Sequence, residues 1–194
     1  MDRLHDDFPQ QLDTLFVAFP TQTSKDRIGQ VAMELELPVA GLIQDFSGKT
    51  GEVITLYPAS AVPAIRVVLI GLGEDPKPHH LENALREWAH NRGQRPSGLT
   101  AIDFQRWSPL ATCANIPQWA AAAVYGWKLG SYDLALFKSE KKERPDNGKL
   151  QIIASAVHNK QISASTQEAA SLAEVQARIM DLVNKPGAEA DAAH

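Results

Sequence analysis

The run Arg66-Val-Val-Leu-Ile70 constrains this chain more than any other. It is short, β-branched and almost wholly apolar, so neither of its faces suits water and it reads as a central strand covered on both sides. Gly71-Leu72-Gly73 and the polar EDPKP follow it. Leu81, Leu85, Trp88 and Ala89 then recur at helical spacing, which predicts an amphipathic helix from His79 to Asn91 ended by Gly93. A strand that needs cover on both faces and leads into a helix is the unit of an α/β fold.

The same order recurs along the chain. LDTLFVAF (Leu12 to Phe19), closed by Pro20, predicts a buried first strand. A polar stretch comes next, then dense apolar residues from Val31 to Ile43 broken by Pro38, which predict a strand or short helix before the proline and a helical turn from Val39 to Asp45. EVITLY (Glu52 to Tyr57) and LTAIDFQRW (Leu99 to Trp107) predict two further strands. Pro117 opens an alanine-rich helix through Trp127, ended by Gly130. Lys138 to Lys149 is a charged surface loop before the strand Leu150 to Ala156. In a final helix from Ser165 to Asn184, Ser165 and Glu168 form a capping box, and Leu172, Val175, Ile179 and Leu182 or Val183 form the buried stripe. Strands interleaved with helices predict an α/β sandwich with a mixed, largely parallel sheet.

Composition excludes several classes. At 194 residues, 44% hydrophobic and 22% charged, the chain is sized and composed for one globular domain. A net charge of -4 weighs against nucleic acid or an anionic membrane as partner. Cys113 is the single cysteine, which rules out an internal disulfide and any multi-cysteine metal site. No apolar run reaches the roughly 18 residues of a membrane span, and the acidic start MDRLHDDFPQQ is unlike a signal peptide. A cytoplasmic protein is expected.

The segments that could carry chemistry are weak when taken singly. Ser47-Gly48-Lys49-Thr50 looks like the end of a phosphate-binding loop, but Ile43 stands where that motif needs glycine and a strand follows where it needs a helix. Gly71-Leu72-Gly73 lies where a dinucleotide loop would, yet Pro76 replaces the third glycine; a strand-end turn is the plainer reading, with Gly71, Leu72 and Gly73 kept as a possible ligand-contact loop. His79, His80 and Glu82 suggest a metal only until the geometry is considered, since adjacent helical residues point about 100° apart. Cys113 has no histidine near it in sequence and reads as inert. Tyr125, Trp127 and Tyr132 beside Lys128 read as packing, and the Lys138–Arg144 cluster, interleaved with acids, as a solvated loop. No catalytic residue and no metal ligand is assigned.

Four segments in order resemble the amino-terminal domain of the leucyl (cytosol) aminopeptidase family. Phe46-Ser-Gly-Lys-Thr-Gly-Glu52 with ITLYP resembles the family's F-x-G-K-x-G-E turn and strand. Arg66-Val-Val-Leu-Ile-Gly-Leu-Gly73 resembles its R-V-x-L-V-G-L-G. VYGWKLGSYDLALFK (Val124 to Lys138) resembles its helix end and L-x-x-Y-x-F-x-x-Y-K, and Asp181-Leu-Val-Asn184 with Pro186 resembles the D-L-V-N-x-P of its interdomain helix. Leu136-Phe137 and the tail GAEADAAH depart from the family's pattern.

The resemblance implies a three-layer macro-domain-like sandwich over residues 1–163, with residues 1–11 flexible, an interdomain-type helix over 164–185 and a tail over 186–194. It implies a non-catalytic domain with an assembly or access-control role. Its partner would be a carboxy-terminal catalytic domain, absent from this sequence, in which two divalent metals, zinc or manganese, activate water for removal of amino-terminal residues from peptides. The parent would be a homohexamer. An alternative is a stand-alone macro-like module holding a nucleotide or ADP-ribose-type ligand; a third reading is a DNA-binding accessory domain.

Overall fold

The computed structural model describes residues 12–38, 45–60, 64–91, 98–106, 108, 110, 115–132 and 148–184. Among these residues five strands form one mixed sheet: β1 (Leu12–Pro20), β2 (Val53–Leu56), β3 (Ala64–Gly73), β4 (Thr100–Asp103) and β5 (Leu150–Ile153), in the order β2-β3-β1-β4-β5. β1 pairs in parallel with β3 and β4, β4 in parallel with β5, and β2 alone runs antiparallel, against β3. The helices are α1 (Lys25–Glu34), α2 (Pro78–His90), α3 (Ile116–Gly130) and α4 (Asn159–Asn184).

Strand alternation divides the core in two. Leu15, Val17, Phe19, Val67, Leu69 and Ala101 face α1, where Ile28, Val31 and Ala32 meet them. Phe16, Ala18, Val68, Ile70 and Ile102 face α2 and α3, with Leu81, Leu85, Trp119 and Trp127. The apolar run at Arg66–Ile70 is thus covered on both faces, as its composition requires. α3 crosses α2 closely: a Cβ at Gly126 would strike the Glu82 backbone. α4 forms a further layer on α3, outside the sandwich.

Several boundaries differ from expectation. α1 was hidden in the polar stretch; Ser24 caps it by accepting the Arg27 N–H at 3.2 Å. The expected helical turn at Val39–Asp45 and the charged loop at Lys138–Lys149 fall largely outside the described residues, as do Cys113, residues 1–11 and residues 185–194. β4 stops at Asp103, because that buried carboxylate turns the chain by accepting the backbone N–H groups of Gln105, Arg106 and Ser108.

Two expectations about the last helix are corrected. α4 begins at Asn159, so Ser165 and Glu168 lie inside it and form no N-terminal cap. Its buried residues are Ile162, Ala169 and Ala173, whereas Leu172, Val175, Ile179, Leu182 and Val183 are exposed. The helix is docked by its small residues.

Candidate functional site

At the carboxyl ends of β1 and β3 the segment Ser47–Glu52 folds into a tight turn, with Gly48 and Gly51 at φ of 72° and 80°. Here the phosphate-loop likeness finds a physical account. The Glu52 carboxylate accepts the Ser47 N–H at 3.0 Å, the Lys49 N–H at 3.1 Å and the Ser47 hydroxyl at 3.1 Å. The turn therefore gathers backbone donors around an anion, and the anion belongs to the chain itself.

Gly71, Leu72 and Gly73 are the buried last residues of β3, not a loop beyond it. The Gly71 N–H donates to the Glu52 carbonyl at 2.7 Å and the Gly73 N–H to the Gly48 carbonyl at 2.8 Å. A Cβ on Gly71 would overlap the Lys49 carbonyl, and one on Gly73 the Thr50 hydroxyl; Gly73 also sits at φ 84°. Glycine is required here by the close approach of the Ser47–Glu52 turn. The structure thus brings together the two sequence motifs, Ser47–Thr50 and Gly71–Gly73, and seals the sheet end with them.

The histidine pair is used locally. His80 Nδ1 lies 2.9 Å from the Leu72 carbonyl, and the His79 and His80 rings meet edge-on with centroids 4.3 Å apart. Among the described residues no group of three or more His, Cys, Asp and Glu could hold a metal ion. The two metals implied by the resemblance therefore find no ligand set in them.

At the opposite end of the sheet, at the head of β3, sits a buried charge. Arg66 pairs with Asp13 at 2.7 Å, donates through Nε to the Thr14 hydroxyl at 2.7 Å, and lies 5.6 Å from the Trp88 ring centroid. These partners lie on β1 and α2, so the cluster ties β1, β3 and α2 together.

The third surface is α4 on α3. Tyr125 donates its hydroxyl to Gln176, and Tyr132 donates to Asp181 at 2.7 Å. Lys128 pairs with Glu174 at 2.5 Å, and by hydrogen bond and then by charge it holds the Glu174 carboxyl below its ordinary range. A cavity of about 650 Å³ lies beside this pair, lined by Trp127, Leu150, Ala170 and Ala173 among others. Of the aromatics expected to pack, Trp127 lies in the core, and Tyr125 and Tyr132 also fasten α4 through their hydroxyls. None of these groups forms a nucleophile with an adjacent base. Among the described residues no helix is long and apolar enough to cross a membrane.

Residues 42–141, just over half of the chain, match the family model described as the cytosol aminopeptidase family, N-terminal domain. A protein named "Probable cytosol aminopeptidase" from Geobacter sp. (strain M21) is 27% identical over 170 residues, covering 84% of this chain and 34% of its own length. A protein of the same name from Roseiflexus castenholzii (strain DSM 13941 / HLO8) is 36% identical over 110 residues, covering 56% of this chain and 22% of its own. Among solved structures, that of the bottromycin maturation enzyme BotP superposes with a TM-score of 0.59 at 18% identity, over 90% of this chain and 33% of that one. The chain thus spans about a third of the Geobacter relative and less of the Roseiflexus one.

Proposed function

Because the chain belongs to the cytosol aminopeptidase family, as its amino-terminal domain, we propose that it is a non-catalytic module of a two-metal aminopeptidase, acting in assembly or in access to the catalytic domain. One observation carries this reading. The match to the amino-terminal domain model accounts for residues 42–141, while the Geobacter relative is about three times as long as the region shared with it. The chemistry is then assigned to the remainder, where two divalent metals, zinc or manganese, activate water.

The same reading describes the sheet and its helices as macro-like, and the assembled parent as a cytoplasmic homohexamer. It treats residues 1–163 as the domain, 164–185 as the interdomain-type helix and 186–194 as a tail, although α4 already starts at Asn159. Supporting it, among the described residues the Glu52 carboxylate at one sheet end and the Arg66–Asp13 pair at the other take their partners from the chain itself. A site that is to bind substrate keeps some donors pointed at open space.

The deciding experiment is hydrolysis of a leucine anilide by the purified 194-residue chain with added manganese or zinc. The expected rate is that of the metal blank. Turnover well above the blank that copurifies with the chain, and vanishes with a chelator, would show that the chain holds its own catalytic centre.

A further inference from the structure

α4 is anchored near its start and only lightly gripped beyond it. Ile162 enters the core between the sheet and α2 and α3, and the other buried residues of the helix are Ala169 and Ala173, four apart on one side. Alanines let two helices approach closely, but they raise no ridges to lock into the grooves of a partner. From Ile162 the helix runs on to Asn184, a lever of about 33 Å at 1.5 Å per residue. A swing of about 10° at the anchor moves its far end by about 6 Å.

A row of taller side chains acts along that lever. Tyr125 donates to Gln176, Lys128 to Glu174 at 2.5 Å, and Tyr132 to Asp181 at 2.7 Å. Glu174 and Asp181 stand about 18 and 28 Å beyond Ile162, where a sideways constraint has most leverage on the direction of the helix. Rotation is held as well, since turning α4 by one residue swings every acceptor through about 100° and a hydrogen bond does not survive that. The outermost contact joins two segments singled out in the sequence. Tyr132 closes Leu129-Gly-Ser-Tyr132, and Asp181 opens Asp181-Leu-Val-Asn184. Strength is not what the row supplies: the Lys128 and Glu174 side chains are 39% and 59% exposed, and ion pairs open to water contribute little to stability.

We propose that this row is an aiming device, which fixes the angle and rotation of α4 about its anchor at Ile162, with the Tyr132–Asp181 bond as the outermost pin. Choosing one alignment among several of similar packing energy is a role that polar contacts between helices are suited to. Tyr125, Lys128 and Tyr132 are thus positioning residues. In the aminopeptidase reading, on which this consequence rests, α4 joins the two domains, and the row sets where the catalytic domain stands relative to the sheet.

Distances between spin labels at Gln30→Cys on α1 and Val183→Cys on α4, both exposed, test it in the 194-residue chain carrying Cys113→Ser. With the row intact, one narrow peak is expected. Tyr132→Phe, which loses only a hydroxyl, is expected to broaden it. The triple variant Tyr125→Phe, Lys128→Met, Tyr132→Phe is expected to double the width or move the centre by about 6 Å, with circular dichroism and thermal midpoint close to those of the wild type. Asp181→Asn keeps an acceptor for Tyr132 and is expected to keep the narrow peak. A triple variant with the wild-type distribution overturns the proposal. So does one whose residues 174–184 lose amide protection, because the row would then hold the helix together without aiming it. If the triple variant does not fold, Gln176→Leu with Asp181→Leu, made on α4 alone, reads the same row. The distances are measured on this chain by itself, so they stand or fall apart from the leucine anilide assay that tests the aminopeptidase reading.

Discussion

Replacing Glu52 by alanine should loosen the Ser47–Glu52 turn without touching the core. The carboxylate holds three donors, the Ser47 N–H, the Ser47 hydroxyl and the Lys49 N–H, at 3.0 to 3.1 Å. Hydrogen bonds to a charged group contribute about 1.5–3 kcal/mol each where water is excluded. Ser47 and Lys49 are exposed, so water competes for both and the figure falls toward that of a helix cap, about 0.5–1 kcal/mol per donor. The sum is about 2 kcal/mol, or roughly 4–8 °C in midpoint for a domain of this size. Urea titration of wild type and variant at equal slope measures it, and Glu52→Gln, which keeps one acceptor oxygen and loses the charge, should fall between the two. Amide exchange locates the effect: Ser47 and Lys49 should lose protection while β1 keeps its own. A loss below about 0.5 kcal/mol, within the range of an ordinary surface change, would mean that the turn is held by Gly71 and Gly73 alone and that the anion cap is incidental.

Three other outcomes follow from the same structure. Arg66→Met should destabilise by about 3 kcal/mol in urea, since it takes away the ion-pair partner of Asp13, whose side chain is 12% exposed and keeps the Thr14 hydroxyl; adding Asp13→Asn should recover part of that loss. Lys128→Met should raise the Glu174 pKa toward the ordinary value by NMR titration, because Lys128 supplies both leading causes of its depression. In the wild type that depressed pKa contributes stability present above the unfolded pKa and lost as pH falls through the folded one, so the variant's acid unfolding should be less steep. Calorimetric titration with ADP-ribose should show no binding tighter than millimolar, since the Gly71 and Gly73 amides already donate to Glu52 and Gly48; saturable binding abolished by changing Gly73 would refute that.

What was legible in sequence was whatever local pattern alone decides. β3 declared itself because an apolar β-branched run leaves no choice of face, and α2 because Leu81, Leu85 and Ala89 recur on one side of a helix. The glycines of Gly71–Gly73 were legible as requiring closeness, but not as to what comes close. A nucleotide phosphate and the Lys49 carbonyl make the same demand on the backbone, and only the tertiary fold chooses between them. Glu52 closes the F-x-G-K-x-G-E motif, but its role is not legible there, since an anion cap closing across five residues shows no periodicity. Arg66 at the head of the apolar run was the one detectable signal of a buried ion pair, because such a charge is rarely buried without a partner.

α4 shows why the most apolar arc of a helix is not always the one its own domain buries. α3 and the turn after it present Tyr125, Lys128 and Tyr132 to α4, side chains with apolar bodies and polar tips that must find partners once covered. A helix presenting Leu172 and Ile179 to those tips would forgo the acceptors that Gln176, Glu174 and Asp181 supply, at about 0.5–1.5 kcal/mol for each hydrogen bond lost. α4 instead offers Gln176, Glu174 and Asp181 as acceptors and sets Ala169 and Ala173 between them, where small side chains allow close approach. Satisfying α3 thus fixes the rotation of α4, and that rotation carries Leu172, Val175, Ile179 and Leu182 outward. Hydrophobic periodicity ranks faces by their own apolarity; the choice made here depends on polar atoms of a different helix, which no window on residues 159–184 contains.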